Sequence, residues 1–118
     1  TYREGRRAMR TASSDDELHE WRKRVKEHWY HIQLLRDLWP SMMKPYAAVM
    51  QDLSRALGDH HDLHVLRGLV TAPTVIAAIA LRQRTLEAEA RAIGTRVYAE
   101  PSRAWLARMR RLWIVWRA

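Results

Sequence analysis

At 118 residues and 47% hydrophobic content, the chain is long enough to bury one core and too short for two domains. The absence of cysteine excludes disulfides, thiolate metal sites and cysteine nucleophiles, and accords with a reducing cytoplasm, the expected location. The net charge is +8, and 18 of the 21 basic residues are arginine, whose planar fork of donors matches phosphate oxygens, so a polyanionic partner is expected.

Glycine and proline are scarce, with four of each, while Ala, Leu, Arg and Met favour helix throughout. Residues 1 to 12, with Arg3, Arg6, Arg7 and Arg10, read as a basic leading helix or linker. Ser13, Ser14, Asp15 and Asp16 precede an amphipathic run from Glu17 to Trp39, and Ser14 with Glu17 has capping-box spacing. Pro40 is expected to stop that helix. A second helix reads from about Ser41 to Leu57, with Gly58 as its terminator. Asp59 then caps a third segment, His60 to Val70; Thr71-Ala72-Pro73 allows a break, and a further helical run reaches about Ala99.

Pro101 suits the first position of a last helix ending near Arg117, with Trp105, Leu106, Met109, Leu112, Trp113 and Trp116 on one side. The apolar stretch from Val70 to Leu81 is well short of the roughly 20 residues that span a bilayer, so no membrane partner is expected. The expected fold is all-α: a single four-helix bundle-like domain over residues 1–118, its third segment broken. The chain starts without an initiator Met, and a module of a longer protein is expected.

On a helical wheel the Glu17–Trp39 run divides into two faces. Leu18, Trp21, Val25, Trp29, Ile32 and Trp39 gather on one side, and His19, Arg22, Lys23, Lys26 and Tyr30 on the other. Solvated helix faces usually interleave acids four residues from bases, but Glu20 and Glu27 fall on the flank and leave this stripe unbalanced. Same-sign charges at such spacing repel, so an anion that supplies the missing charge is the functional expectation, with His19 adding pH dependence. A weaker stripe of Arg103, Arg110 and Arg117 recurs every seven residues opposite the tryptophans of the last helix. The two stripes are expected to line one groove.

The run L-H-E-W-R-K-R-V-K-E-H-W-Y, Leu18 to Tyr30, resembles the signature helix of the CHAD family, the conserved-histidine α-helical domains: H-x-x-R-K-x-x-K followed by an aromatic. L-G-D-H-H-D-L, Leu57 to Leu63, is similar to the family's L-G-x-x-x-D segment; Y-A-E-P-S-R-A-W, Tyr98 to Trp105, and the opening Y-R-E-G-R-R-A-M-R resemble two further segments. The resemblance implies two helical bundles around a basic channel that binds inorganic polyphosphate without catalysis, with this chain as the C-terminal bundle. Carried over, it makes His19, Arg22, Lys23 and Lys26 polyphosphate ligands, with Arg6 and Arg10 as contributors. Trp29 stands where the family often has arginine. The resemblance also implies pairing, either of two copies or with a missing N-terminal bundle.

Three rival readings remain. Asp59-His60-His61-Asp62-Leu63-His64 packs three imidazoles and two carboxylates into six residues, and His60 and His64, four apart, can share a metal on one helical face, with His28 and His31 as further candidates. Capping and orientation by Asp59 and Asp62 is the favoured alternative, so no metal or other cofactor is expected. A phosphohydrolase built on His61-Asp62 needs a later Asp, and none follows Asp62. With no cysteine and no serine in a Gly-flanked elbow, no enzyme is expected. Nucleic acid is the third rival, disfavoured because most of the six tryptophans recur at core positions.

Overall fold

The computed structural model describes residues 1–118. Five helices follow one another: α1 (Tyr2–Thr11), α2 (Asp15–Leu34), α3 (Pro40–Arg67), α4 (Pro73–Val97) and α5 (Ser102–Arg117), with a short 3-10 turn at Arg36–Leu38 between α2 and α3. The protein is all-α. Its extents are 62 × 23 × 18 Å and its radius of gyration is 16.5 Å, against about 13.5 Å for a compact chain of this length, so the molecule is elongated.

The local signals act largely as the sequence implies at the helix starts. Ser14 caps α2, its hydroxyl accepting from the Glu17 amide at 3.1 Å. Pro73 opens α4, and Pro101 sits at the cap of α5, one residue before its first turn. The leading segment is a helix, α1, closed by a capping box between Thr1 and Glu4.

Two boundaries differ from expectation. The second helix ends at Leu34, not Trp39: Trp39 precedes Pro40 and is pushed out of the α region to φ −162°, ψ 82°, so the chain leaves helical geometry before the proline, which becomes the first residue of α3. The expected break at Gly58 is absent, and the second and third segments form one 28-residue helix. Met50, Leu53, Leu57 and His60 form a buried stripe at three- and four-residue spacing that runs straight through that glycine. Burying the stripe outweighs the ~1 kcal/mol that a helical glycine costs relative to alanine. Asp59 and Asp62 are therefore exposed mid-helix residues and cap nothing.

α3 packs against both α2 and α4, and α1 lies on α2. The core joins Trp21, Val25 and Ile32 of α2 to Met43, Met50, Leu53 and Leu57 of α3 and Ala90 of α4. Around His28, rings arrive from four other segments: Tyr2 at 5.2 Å, Tyr46 at 5.8 Å, Tyr98 at 5.9 Å and Trp105 at 5.0 Å between centroids. The Tyr46 hydroxyl donates to the Val97 carbonyl at 3.3 Å, which leaves it to accept from His28 Nε2 at 3.1 Å. Arg91 ties α4 to the end of α1 by donating to the carbonyls of Met9 and Ala12.

The last helix is held more loosely. α5 packs on α1 and on the Arg36–Leu38 turn. Trp105 and Met109 are buried, but Trp113 and Trp116, expected in the core, are about half exposed and rest on each other at 5.4 Å; Trp39 is likewise half exposed. A helix with so few neighbours covers only the first turns of its apolar side. No helix is long and apolar enough to cross a membrane.

Candidate functional site

The cationic face of α2 borders α3, and the two helices enclose a groove of about 360 Å³ lined by Arg22, Lys26, Trp29, Gln51, Ser54 and Arg55. Its wall contains three cations, three neutral polar or aromatic side chains and no carboxylate. Arg55 lies 3.4 Å from Asp52, but both are largely exposed, and such pairs are worth little in water. Gln51, Ser54 and Arg55 escaped the sequence reading because nothing in the α3 sequence marks which of its faces meets the α2 stripe.

Toward the start of α2, His19 lies flat against His61 of α3, with 3.7 Å between ring centroids and 14° between planes. The Nδ1 atoms of both rings are enclosed by protein and have no hydrogen-bond partner there. Burial, then the neighbouring His61, Lys23 and Arg22, hold the His19 imidazole below the usual histidine range.

The remaining stripe residues separate. Lys23 is not unbalanced as expected: its ammonium donates to Glu20 at 2.7 Å, a three-residue step along the helix that the four-residue rule overlooks. Glu27 is taken by Arg24 at 2.9 Å. Tyr30 is exposed and leans edge-on against Trp29 at 5.0 Å. Arg6 donates from Nε to the Tyr98 carbonyl at 3.1 Å and so ties α1 to the end of α4, while Arg10 is exposed on the last turn of α1.

Arg103 and Arg110 do not share the α2–α3 groove. They line a separate cavity of about 770 Å³ with Arg3, His31, Trp105 and Met109, where α5 faces α1 and the end of α2. The two stripes thus edge two different hollows, because Arg22 and Lys26 project toward α3 while α5 packs beside α1 and the 3-10 turn.

The histidine-rich segment is divided between two tasks. His60 is buried and stands 3.7 Å from Asp15, and His64 Nδ1 lies 2.8 Å from the other Asp15 oxygen, so both clasp α3 to the first turn of α2. Burial holds His60 below its usual range against an opposing pull from Asp15. His61 is stacked on His19. No group of three or more His, Asp or Glu side chains is arranged so as to hold a metal ion. Asp59 and Asp62, the sequence's candidate carboxylates, are exposed, and Asp15 makes the pairings with His60 and His64 instead.

The molecule is an all-α protein in which Arg22 and Lys26 of α2 meet Arg55 of α3, and His19 meets His61, where the two helices face each other. The sequence matches the family model of the CHAD domain over residues 1–71, more than half of the chain. It belongs to the CHAD family. The match takes in α1, α2 and α3; the likeness read at Tyr98 to Trp105 falls outside it. Comparison with curated proteins and with solved structures gave no match.

Proposed function

We propose that this protein binds inorganic polyphosphate without transforming it, in the groove between α2 and α3. His19, Arg22, Lys23 and Lys26 are its ligands from α2, and Arg55 joins them from α3. The observation that carries the reading is the convergence of Arg22, Lys26 and Arg55 on one groove whose wall has no acid. Membership of a family associated with polyphosphate binding supports the same ligand. A linear polyphosphate is a flexible chain with about one charge per phosphate and no bases, so an open cationic groove suits it better than an enclosed pocket. Arg6, engaged with the Tyr98 carbonyl, is left out of this ligand set, and Arg103 and Arg110, on another cavity, are left to a later stretch of a long chain.

With about four cations engaged, counterion release at roughly 0.7 per contact implies that affinity falls about 50-fold between 50 and 200 mM salt. The test is a titration with long-chain polyphosphate at those two salt concentrations, with tripolyphosphate and single-stranded DNA as comparators. Tight, salt-sensitive binding of the long chain and weak binding of tripolyphosphate is the expected outcome. Displacement of polyphosphate by DNA at equal phosphate concentration would replace this reading with a general polyanion or nucleic-acid one.

Residues 1–118 are proposed to act as one bundle of a two-bundle arrangement, with a second copy or an N-terminal counterpart opposite. The exposed apolar residues Ile114, Val115 and Trp116 at the end of α5 support a covering partner. Light scattering gives the mass in solution, and a dimer would identify the second copy as that partner.

A further inference from the structure

Gly58 lies inside α3, where the backbone is helical and no glycine of the protein has positive φ. Neither a turn nor a left-handed conformation requires glycine at this position. Glycine is the poorest helix former after proline, so its presence in mid-helix points to a neighbour that a side chain would displace. That neighbour is one group. A Cβ added at residue 58 would stand 3.1 Å from Arg22 Nε and 3.3 Å from both Cζ and Nη2. Three atoms of one guanidinium at nearly equal distance describe a plane laid against the α3 backbone.

Nothing in the protein holds Arg22 there by hydrogen bonding at Nε, which is enclosed and finds no acceptor. Arg22 is therefore placed by packing, and the packing depends on the missing side chain at residue 58. Resting on the polyphosphate reading above, we infer that Gly58 is a positioning residue for that ligand: it keeps the Arg22 guanidinium flat on α3, at the wall that Arg22 shares with Lys26 and Arg55. A methyl group at residue 58 crowds this plane by a few tenths of an ångström and turns the fork away from the geometry that lets arginine grip a phosphate with two parallel donors.

The experiment compares Gly58→Ala, Arg22→Ala and the double variant in the full chain, titrated with long-chain polyphosphate at several salt concentrations, with melting temperatures measured alongside. Arg22→Ala is expected to weaken binding about 10-fold and to lower the salt slope by roughly 0.7, the loss of one contact. Gly58→Ala is expected to weaken binding about 3- to 10-fold and to lower the slope in the same direction, as a displaced but charged arginine does. Its melting temperature should match or exceed that of the parent, because alanine is the better helix former.

The double variant should bind like Arg22→Ala alone, since Gly58 acts only through Arg22. Unchanged binding by Gly58→Ala with weakened binding by Arg22→Ala overturns the positioning role and leaves the polyphosphate groove intact. Unchanged binding by both removes the groove reading itself. A further loss in the double variant, or a fall in melting temperature that accompanies the loss of affinity, also overturns the inference, because either places the effect of Gly58 outside Arg22.

Discussion

The imidazoles of His19 and His61 lie parallel across the α2–α3 boundary, 3.7 Å apart, each shielding the other from water. Burial and His61 together keep His19 uncharged at neutral pH. The charge available to the proposed ligand then comes from Arg22, Lys26, Lys23 and Arg55, and His19 adds to it only in acid.

Polyphosphate affinity should accordingly rise as pH falls, because the polyanion favours the protonated ring. The rise should level off only below the ordinary histidine value of about 6.5, since the His19 pKa is lowered in the free protein. His61→Ala admits water and removes the opposing ring, and should move the midpoint upward. Calorimetric titrations between pH 8 and 5, with the His19 ring followed by NMR, measure both effects. An affinity that stays flat across this range in the parent, or a dependence retained in His19→Gln, would exclude His19 as the source.

Glu20 holds the Lys23 ammonium, for which the proposed polyphosphate ligand would have to compete. Glu20→Gln should free that ammonium and strengthen polyphosphate binding by about 1.4- to 5-fold, the range that exposed ion pairs span. For the same reason Lys23→Ala should weaken binding less than Lys26→Ala. Both comparisons require only affinities at one low salt concentration, and equal losses for the two lysines would contradict the assignment of Lys23 to Glu20.

His28, sealed among Tyr2, Tyr46, Tyr98 and Trp105, has its pKa pushed down to about 3, chiefly by burial and secondarily by His31. In the unfolded chain it takes up a proton near pH 6.5; in the folded chain it does so only near pH 3. Its contribution to stability is therefore complete above pH 6.5 and is lost progressively as pH falls toward 3, amounting to about 2 kcal/mol at pH 5. Urea denaturation at pH 7 and pH 5 should show this loss. His28→Phe should flatten the difference while Tyr46 keeps its bond to the Val97 carbonyl. His19 and His60, also lowered by burial, act with the same sign and leave a residual slope.

Gly94 offers the opposite case to Gly58. A Cβ there would meet Trp21 Cζ2 at 2.6 Å and Cη2 at 2.9 Å, and Trp21 is fully buried with no room to move. Gly94→Ala should destabilise the fold by about 1–3 kcal/mol despite the better helix propensity of alanine. Chemical denaturation would show it as a lowered midpoint with an unchanged slope. A stabilised variant would mean that α4 can draw back from α2 at this point.

What this chain's sequence determined by itself was local: the absence of strands, the Ser14 cap, the starts at Pro73 and Pro101, and the stripe of His19, Arg22, Lys23 and Lys26 on one side of a helix. These follow from interactions within a few residues, where spacing alone decides which groups meet. Only the tertiary structure decided that α3 continues through Gly58, because the buried stripe from Met50 to His60 supplies the energy that a local breaker signal lacks. It also decided that Arg55 and His61 face α2, that Arg103 and Arg110 do not share that groove, and that Asp15 rather than Asp59 or Asp62 receives the histidines. Each of these is a pairing across helices, set by which apolar faces are buried together, and residues far apart in the chain carry no spacing from which such a pairing can be read.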